Sequence, residues 1–348
     1  GTSTRWARAL RDGRFVCRGC EVCLFFENYL YLTGDFVGQP FKLMPWLRQV
    51  VRDVFGTLDD EGLRQYKDVY LEVPTGNAKT TFCAGLVLYF LCCHKATGTE
   101  VYSAATAKDQ AAITFRMAHQ MAIQSPLVSK LVRVIPSTKR IVRRDDPTSF
   151  YAAISADGDV HDGMNPQFVV RDELHRWRTR KHLELNEVLE RKIVKRQNPL
   201  IWDITTAGEG EDESPLCWRR HEYARQIAEG SIKDPRFYDY IWSADPKRIE
   251  EEPDYWKSRE ARVAANPSHE DNGGYIKDAV LADLCLKAQN DPLAKADYLR
   301  YHLNIWGRHD EAVIDMAKWI CCDGGVDLQK WPLYDVDLLI RKWGLIDR

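Results

Sequence analysis

Residues 71–81, LEVPTGNAKTT, bring together the residue types that bind phosphate: a buried-looking run breaks at a small-residue turn, and Lys79 and Thr80 follow at the start of an apolar helix. Amides of such a turn and a helix N-terminus favour anionic oxygens, a lysine ammonium reaches the outer phosphates, and a threonine hydroxyl can complete the shell of Mg²⁺. The candidate nucleotide-contacting residues are therefore Pro74, Thr75, Gly76, Asn77, Ala78, Lys79, Thr80 and Thr81. The letters depart from the usual GxxxxGK-[ST] pattern. Val73 and Ala78 occupy the two glycine positions, and Gly76 is the only glycine of the stretch. An ordinary strand, turn and helix would carry the same letters, so the assignment depends on partners elsewhere in the chain.

A phosphate loop works with an acid at the end of a buried strand, and FVVRDE at 168–173 supplies one. Asp172 would hold Mg²⁺, directly or through water, and Glu173 would polarise the water that attacks the γ-phosphate in line. The plain alternative is that the pair caps the helix continued by LHRWR. A third group, ITTAG at 204–208, sets Thr205, Thr206 and Gly208 at a strand terminus. Such groups can sense a γ-phosphate and relay its loss; a hydroxyl-rich turn is the competing reading.

These side chains need a sheet to converge on. Pro45 is placed to open a helix within 41–55, where Leu47, Val50, Val51, Val54 and Phe55 recur at helical spacing. Strands are expected at 69–73 and 99–104, each followed by a helix, through 90 and over 109–123. That alternation is the signature of a parallel sheet. Residues 133–157 suggest one or two antiparallel strands ending at 149–155, and compact apolar runs follow at 167–170 and 200–205. After Pro215 helical segments dominate, interrupted by Pro235, Pro246, Pro253 and Pro267, so the sheet-forming half is expected to end near 245. The expected fold class is α/β, a P-loop NTPase of the additional-strand, catalytic-glutamate type, with a central mainly parallel sheet and a helical C-terminal subdomain. TEVYSA, at 99–104, is the strand expected to separate the first strand from the acidic one.

With 348 residues the chain can build a large α/β domain with additions or two modest ones. Its net charge of -2 neither demands nor excludes nucleic acid, so any DNA contact must come from local patches. The longest apolar run, 84–93, is too short to span a bilayer, and no signal-peptide pattern opens the chain. Ten cysteines are scattered in a way that fits reduced thiols rather than a disulfide framework. Cys17, Cys20 and Cys23 have spacing like part of a zinc ribbon, without an evident fourth ligand; free thiols on a partly buried segment are the alternative.

The series PFKLMPW, VPTGNAKTT, SAATAKDQA, HDGMNPQFVVRDELHRW, ITTAG, AANP at 264–267 and LNIW at 303–306 resembles the large terminase subunit of tailed bacteriophages, in order and over about 36–320. The resemblance implies an ATPase, using ATP and Mg²⁺, that pumps double-stranded DNA into a preformed capsid. It also implies a ring, commonly pentameric, docked on the portal protein, a small terminase subunit that selects the DNA, and no membrane. The setting would be the host cytoplasm and, transiently, the procapsid. Lys79 and Glu173 would be catalytic, Thr80 and Asp172 would hold the metal, and Thr205, Thr206 and Gly208 would form the coupling motif. Pro45 and Trp46 would flank the adenine; Leu47 stands at the usual glutamine, leaving Gln49 as its candidate replacement. The implied organisation is a lead-in segment at 1–35, an ATPase core at 36–245, a helical subdomain or linker at 246–320 and a C-terminal remnant at 321–348. No complete nuclease domain fits in that remnant, so Asp323 and Asp327 read as linker or cap and nuclease activity is not expected.

Two departures stand out. Many relatives place an arginine where this chain has Thr75, and others place one where it has Asp162. Rapid phosphoryl transfer calls for a charge-neutralising arginine. The basic run Lys139, Arg140, Arg143 and Arg144 offers candidates that reach a neighbouring subunit, with a solvated face or DNA phosphates as the alternative. Arg176, Arg178, Arg180, Lys181, Arg191, Lys192, Lys195 and Arg196 could line a pore for duplex DNA, although Glu184, Glu187 and Glu190 would equally make a salt-bridged helix. Two rival functions share these motifs: a helicase-like or other remodelling P-loop ATPase, and a non-catalytic assembly protein with a decayed nucleotide site.

Overall fold

The computed structural model describes residues 17–157 and 163–307. Residues 1–16, Asp162, Asp323, Asp327 and the whole of 308–348 lie outside the described residues. In chain order the elements are α1 (Arg18–Tyr29), α2 (Pro45–Gly56), β1 (Asp68–Glu72), α3 (Lys79–Cys93), β2 (Glu100–Ala105), α4 (Lys108–Gln124) and α5 (Val128–Leu131). Next come β3 (Val132–Ile135), β4 (Arg140–Arg143), β5 (Phe150–Ser155), β6 (Pro166–Asp172), α6 (Arg180–Ile193), β7 (Leu200–Thr205) and α7 (Pro215–Ala228). The series closes with β8 (Phe237–Ile241), α8 (Pro246–Glu251), α9 (Arg259–Ala265), α10 (Asp278–Asn290) and α11 (Pro292–Leu303).

Local sequence accounts for the elements that matter most. Pro45 sits in the first turn of α2, where a missing N–H leaves no bond unmade, and Trp46, Leu47, Val50, Val51, Val54 and Phe55 form its buried face. Helix α3 is apolar on nearly every side, so it sinks between the sheet and α1. Gly85 permits that approach: a Cβ there would stand 2.2 Å from the Phe26 ring.

Eight strands form one sheet in the order β3-β4-β5-β2-β6-β7-β1-β8. One core lies between the sheet and α1 to α4, a second between its other face and α6 and α7. A third cluster, around Trp256, Cys285 and Tyr298, holds the helical subdomain together. Among the described residues no helix is long and apolar enough to cross a membrane.

Three expectations change. The strand between β1 and the acidic strand β6 is β7, which carries the ITTAG motif, whereas TEVYSA in β2 lies on the far side of β6. Crossover packing sets that order, and the composition of two equally buried strands does not reveal it. In 133–157 there are three strands, of which β3 and β4 are antiparallel while β5 runs parallel to β2. The sheet also gains an edge strand, β8, parallel to β1, in a stretch expected to be helical.

The register explains why this order matters. Glu72 pairs with Thr205 and Ile204 with Asp172, so β1, β7 and β6 end level at their C-terminal ends. In open α/β sheets that edge is where ligands bind.

Candidate active site

The phosphate loop leaves β1 at Val73, whose N–H donates to the Thr205 carbonyl at 2.9 Å. Gly76 adopts φ 89° and Ala78 φ 57°, both left-handed. An alanine there carries the steric cost that a glycine avoids, which is the physical reason the usual pattern keeps a glycine at that position. Helix α3 then starts at Lys79 with its first amides facing the turn.

Lys79 folds back on its own loop. Its Nζ donates to the Val73 and Pro74 carbonyls at 3.0 and 3.1 Å and to Thr206 Oγ1 at 2.7 Å. Burial pulls its pKa below the ordinary lysine value, against the opposing pull of Glu173 and Asp172. Thr81 turns away from the turn, its hydroxyl on Met117 Sδ at 3.6 Å.

Four hydrogen bonds with the helical subdomain grip the loop from outside. The Asn77 side chain, fully buried, donates to the Pro74 carbonyl and to Asn266 Oδ1, each at 3.2 Å, and accepts from the Ser268 amide at 3.0 Å. The Thr75 amide donates to the Tyr301 carbonyl at 2.8 Å, and the Tyr275 hydroxyl donates to the Gly76 carbonyl. Asn266 belongs to the AANP stretch, whose place in the family resemblance was the available signal; Ser268, Tyr275 and Tyr301 had none.

The acids lie opposite. Asp172 is 3% exposed, and its Oδ1 has no hydrogen-bond partner among the described residues. Burial and the neighbouring Glu173 charge push its pKa up to about 7, while Lys79 and the Thr80 hydroxyl favour the charged form. An orphaned, buried carboxylate oxygen beside a threonine hydroxyl and a lysine is a donor set that fits a hard cation. Glu173 occupies a left-handed conformation, φ 54°, which turns its side chain out of the strand. Its Oε2 stands 3.5 Å from His175 Nε2 and 3.9 Å from Arg176 Nε.

His175 joins the acids to the coupling strand and was not picked out from the sequence. Thr205 Oγ1 accepts from its amide at 3.0 Å and lies 3.1 Å from its Nδ1. Burial, then the Arg300 charge, holds His175 down at about 3, so the ring is neutral. Thr206 Oγ1 in turn donates to the Val73 carbonyl at 3.3 Å. The two threonines thus face different partners, Thr205 the His175 ring beside Glu173 and Thr206 the phosphate loop.

The ITTAG turn is sealed by the LNIW segment. A Cβ on Gly208 would stand 2.4 Å from the Trp306 ring and 2.9 Å from Ser214, so only glycine fits. Asn304 accepts from the Ala207 amide at 2.8 Å. Trp306 and Asn304 also donate to Glu72, the last residue of β1, which is fully buried and further bonded by the Tyr70 hydroxyl at 2.6 Å and His221 at 2.8 Å.

The remaining candidates fall as follows. Trp46 Nε1 donates to Ser268 Oγ at 2.9 Å and its ring meets Trp242 edge-on, so it abuts the residues that hold Asn77. Gln49 is exposed and bonds Asp53 of its own helix. Arg140 lies over the Phe150 ring, Arg143 bonds Asp145 and the His94 carbonyl, Arg144 bonds the Val132 carbonyl, and Lys139 bonds the Lys108 carbonyl. Four strands separate β4 from β1, about 24 Å at the usual strand spacing, so none of them reaches the loop of its own chain. In the basic run Arg180 pairs with Glu184, Arg178 with Glu209, and Arg196 ties down the Asn165 carbonyl. Arg191 and Lys195 are exposed. Cys17, Cys20 and Cys23 are free thiols, and among the described residues no cluster of three or more His, Cys, Asp or Glu is placed to hold a metal.

A phosphate loop after β1, an acid pair after β6 and the strand β7 between them define a P-loop nucleoside triphosphatase of the additional-strand class. The sequence profile of the terminase large subunit ATPase domain matches residues 45–226, just over half of the chain. The chain belongs to that family. It is 25% identical over 309 residues to the terminase large subunit of Enterobacteria phage HK97, covering 88% of this chain and 57% of that protein. It is also 26% identical over 162 residues, 47% of the chain and 32% of the relative, to protein YmfN of Escherichia coli K12. The crystal structure of the HK97 large terminase superposes with a TM-score of 0.69 at 23% identity, over 83% of this chain and 55% of that one, and bears out the fold. The chain thus spans a little over half the length of the HK97 protein. Neither rival function, remodelling enzyme or decayed site, is favoured by these likenesses.

Proposed function

We propose that the chain binds ATP at residues 74–81 and hydrolyses it with Mg²⁺, using the energy to move double-stranded DNA into a viral procapsid. The observation that carries this reading is the buried Oδ1 of Asp172, without a partner among the described residues, on a carboxyl that interacts with Lys79 and Thr80 of the loop. An acid kept in that state is costly unless a ligand completes it.

In this reading Lys79 exchanges its loop carbonyls for phosphate oxygens, and Thr80 and Asp172 hold the metal. A metal held by Thr80 and Asp172 would supply neutralisation of the charge that develops on the phosphate oxygens. Glu173 accepts the proton of the attacking water, and the neutral His175 positions it. Thr205 and Thr206 report the state of the γ-phosphate side to β7, and the Gly208 turn passes it on to the segment ending at Trp306. Pro45 and Trp46 flank the base. A neighbouring copy supplies the arginine, from among Arg140, Arg143 and Arg144, in a homo-oligomeric ring on the portal, with a small terminase subunit delivering the DNA. The ATPase core is 36–245, and the helical subdomain begins at 246.

The purified chain, assayed with ATP, Mg²⁺ and duplex DNA under oligomerising conditions, should turn over ATP and lose that activity in Lys79→Ala. No turnover in the parent, or separation of a forked duplex in place of movement along intact DNA, would overturn the proposal.

A further inference from the structure

The cysteines singled out in the sequence take no part in the nucleotide site, and two of them are arranged for chemistry of their own. Cys17 is the N-cap of α1 and Cys20 lies in its first turn, the spacing Cys-x-x-Cys. The Cys20 amide donates to Cys17 Sγ at 3.4 Å, and the two thiols are close enough to influence each other's titration. Residues three apart on a helix have neighbouring Cβ atoms, within the small movement that closing an S–S bond needs. Both thiols are half-buried, hence reachable, and the Arg52 side chain of α2 sets a positive charge beside both.

The surroundings look built for this placement. Gly19, between the two cysteines, lets the first turn of α1 press onto α2: a Cβ there would stand 2.7 Å from Arg52 Cα. Gly56, at the end of α2, faces Cys17, where a Cβ would stand 3.5 Å from Sγ. Cys23, one turn further on, is buried in the core and lacks that access.

We propose that Cys17 and Cys20 form a vicinal dithiol that closes to an intrahelical disulfide by exchange with a low-molecular-weight disulfide. Cys17 is the attacking sulfur. Its thiolate attacks one sulfur of the small disulfide and expels one thiolate, leaving a mixed disulfide on Cys17. Cys20 then gives up its proton to solvent, attacks the Cys17 sulfur and expels the second thiolate. Two protein thiols are oxidised and one small disulfide is reduced to two thiols, so no other oxidant is needed. The electrostatics favour this division of roles. Burial raises the Cys17 thiol, but amide donors from Cys20 and Gly19, with the Cys20 thiol, outweigh it and the net shift is downward. Burial and then the Cys17 neighbour hold Cys20 above the ordinary value.

The test uses the full chain, reduced and then equilibrated with glutathione buffers. Trypsin cuts after Arg18, so Cys17 and Cys20 leave on separate peptides unless they are bonded. The parent and Cys23→Ala should yield those two peptides as a linked pair, and Cys20→Ser should stop at a stable glutathione adduct on Cys17. Before oxidation, Cys17 should alkylate about tenfold or more faster than Cys23, whose burial pushes it up to about 11, after allowing for the weaker nucleophilicity of the more acidic thiol. A parent that keeps the glutathione adduct with Cys20 free, that links Cys17 to any other cysteine, or that alkylates Cys17 no faster than Cys23 would overturn the proposal. Circular dichroism that matches the parent in each variant keeps these outcomes separate from misfolding.

Discussion

The phosphate loop and the acid pair end neighbouring strands at one edge of the sheet, yet their polar groups are in different states. On the loop, Lys79 has three acceptors, Asn77 uses both ends of its amide, and the Thr75 amide and Gly76 carbonyl are each bonded to the helical subdomain. Across the gap Asp172 keeps a buried oxygen without a partner among the described residues, and Glu173 stands 3.5 Å from His175 and 3.9 Å from Arg176. The side chains of the loop are already engaged, whereas the acid side holds a desolvated carboxyl in reserve. Preorganisation on one side and deferred satisfaction on the other is an arrangement in which a cation and a triphosphate complete the site together.

The comparison breaks most completely if the acids are not chemically essential. Glu173→Gln should lower ATP turnover by about 10²- to 10⁴-fold while nucleotide affinity changes little, measured by steady-state hydrolysis beside equilibrium binding. Equal loss of both would move Glu173 from proton acceptor to binding group.

Asp172 sharpens the contrast through pH. Its folded pKa, about 7, lies above the 3.8 of a free aspartate, so the folded chain binds the extra proton. The contribution of Asp172 to stability without ligand should therefore be greatest below about 4, and fall as pH rises to about 7. In Asp172→Asn that decline should flatten, with the variant more stable than the parent at pH 8 in denaturant unfolding, while Mg²⁺-dependent nucleotide binding is lost. A parent and variant with parallel pH profiles would deny the strain assigned to this carboxylate.

The loop side should respond differently. Asn77→Ala leaves the Ser268 amide and Asn266 Oδ1 short of partners and should cost about 1–3 kcal/mol in chemical denaturation. Tyr275→Phe, which removes one exposed hydrogen bond to Gly76, should cost about 0.5–1.5 kcal/mol or less. The smallest effect belongs to Ala78→Gly: relief of the left-handed strain, about 1–2 kcal/mol, is largely offset by the greater chain entropy of glycine, so stability should rise by about 1 kcal/mol or less. A marked loss there would mean that the methyl group packs in a way the strain argument ignores.

Local signals carried much of this architecture. Pro45 and the helical recurrence of Val50, Val51 and Val54 located α2, and the run into Gly76 and Lys79 located β1 and α3, because caps, turns and periodicity are written in neighbouring residues. Side-by-side placement was not written that way. TEVYSA and LIWDIT are similar buried strands, and only the packing of their crossovers puts the second between β1 and β6. Edge strand β8, FYDYI, follows Pro235 in a helix-rich tract and depends on pairing with β1, a contact far away in sequence. His175 sat inside a motif already in view, but its link between Glu173 and Thr205 arises only when β6 and β7 lie side by side. Asn77 likewise looked like a loop residue, and its second role needs residues almost two hundred positions on.

Glu72 sets a rule for dissecting this chain into smaller working pieces. The sheet ends at Ile241, which invites a fragment cut shortly afterwards, but two donors to this interior carboxylate come from Asn304 and Trp306. A truncation before those residues would take two donors from a buried carboxylate at the foot of the phosphate loop and remove the Trp306 ring that packs on Gly208. The shortest autonomous ATPase fragment should therefore extend through Trp306, and a library of C-terminal deletions should show solubility falling abruptly at that point, not gradually with length.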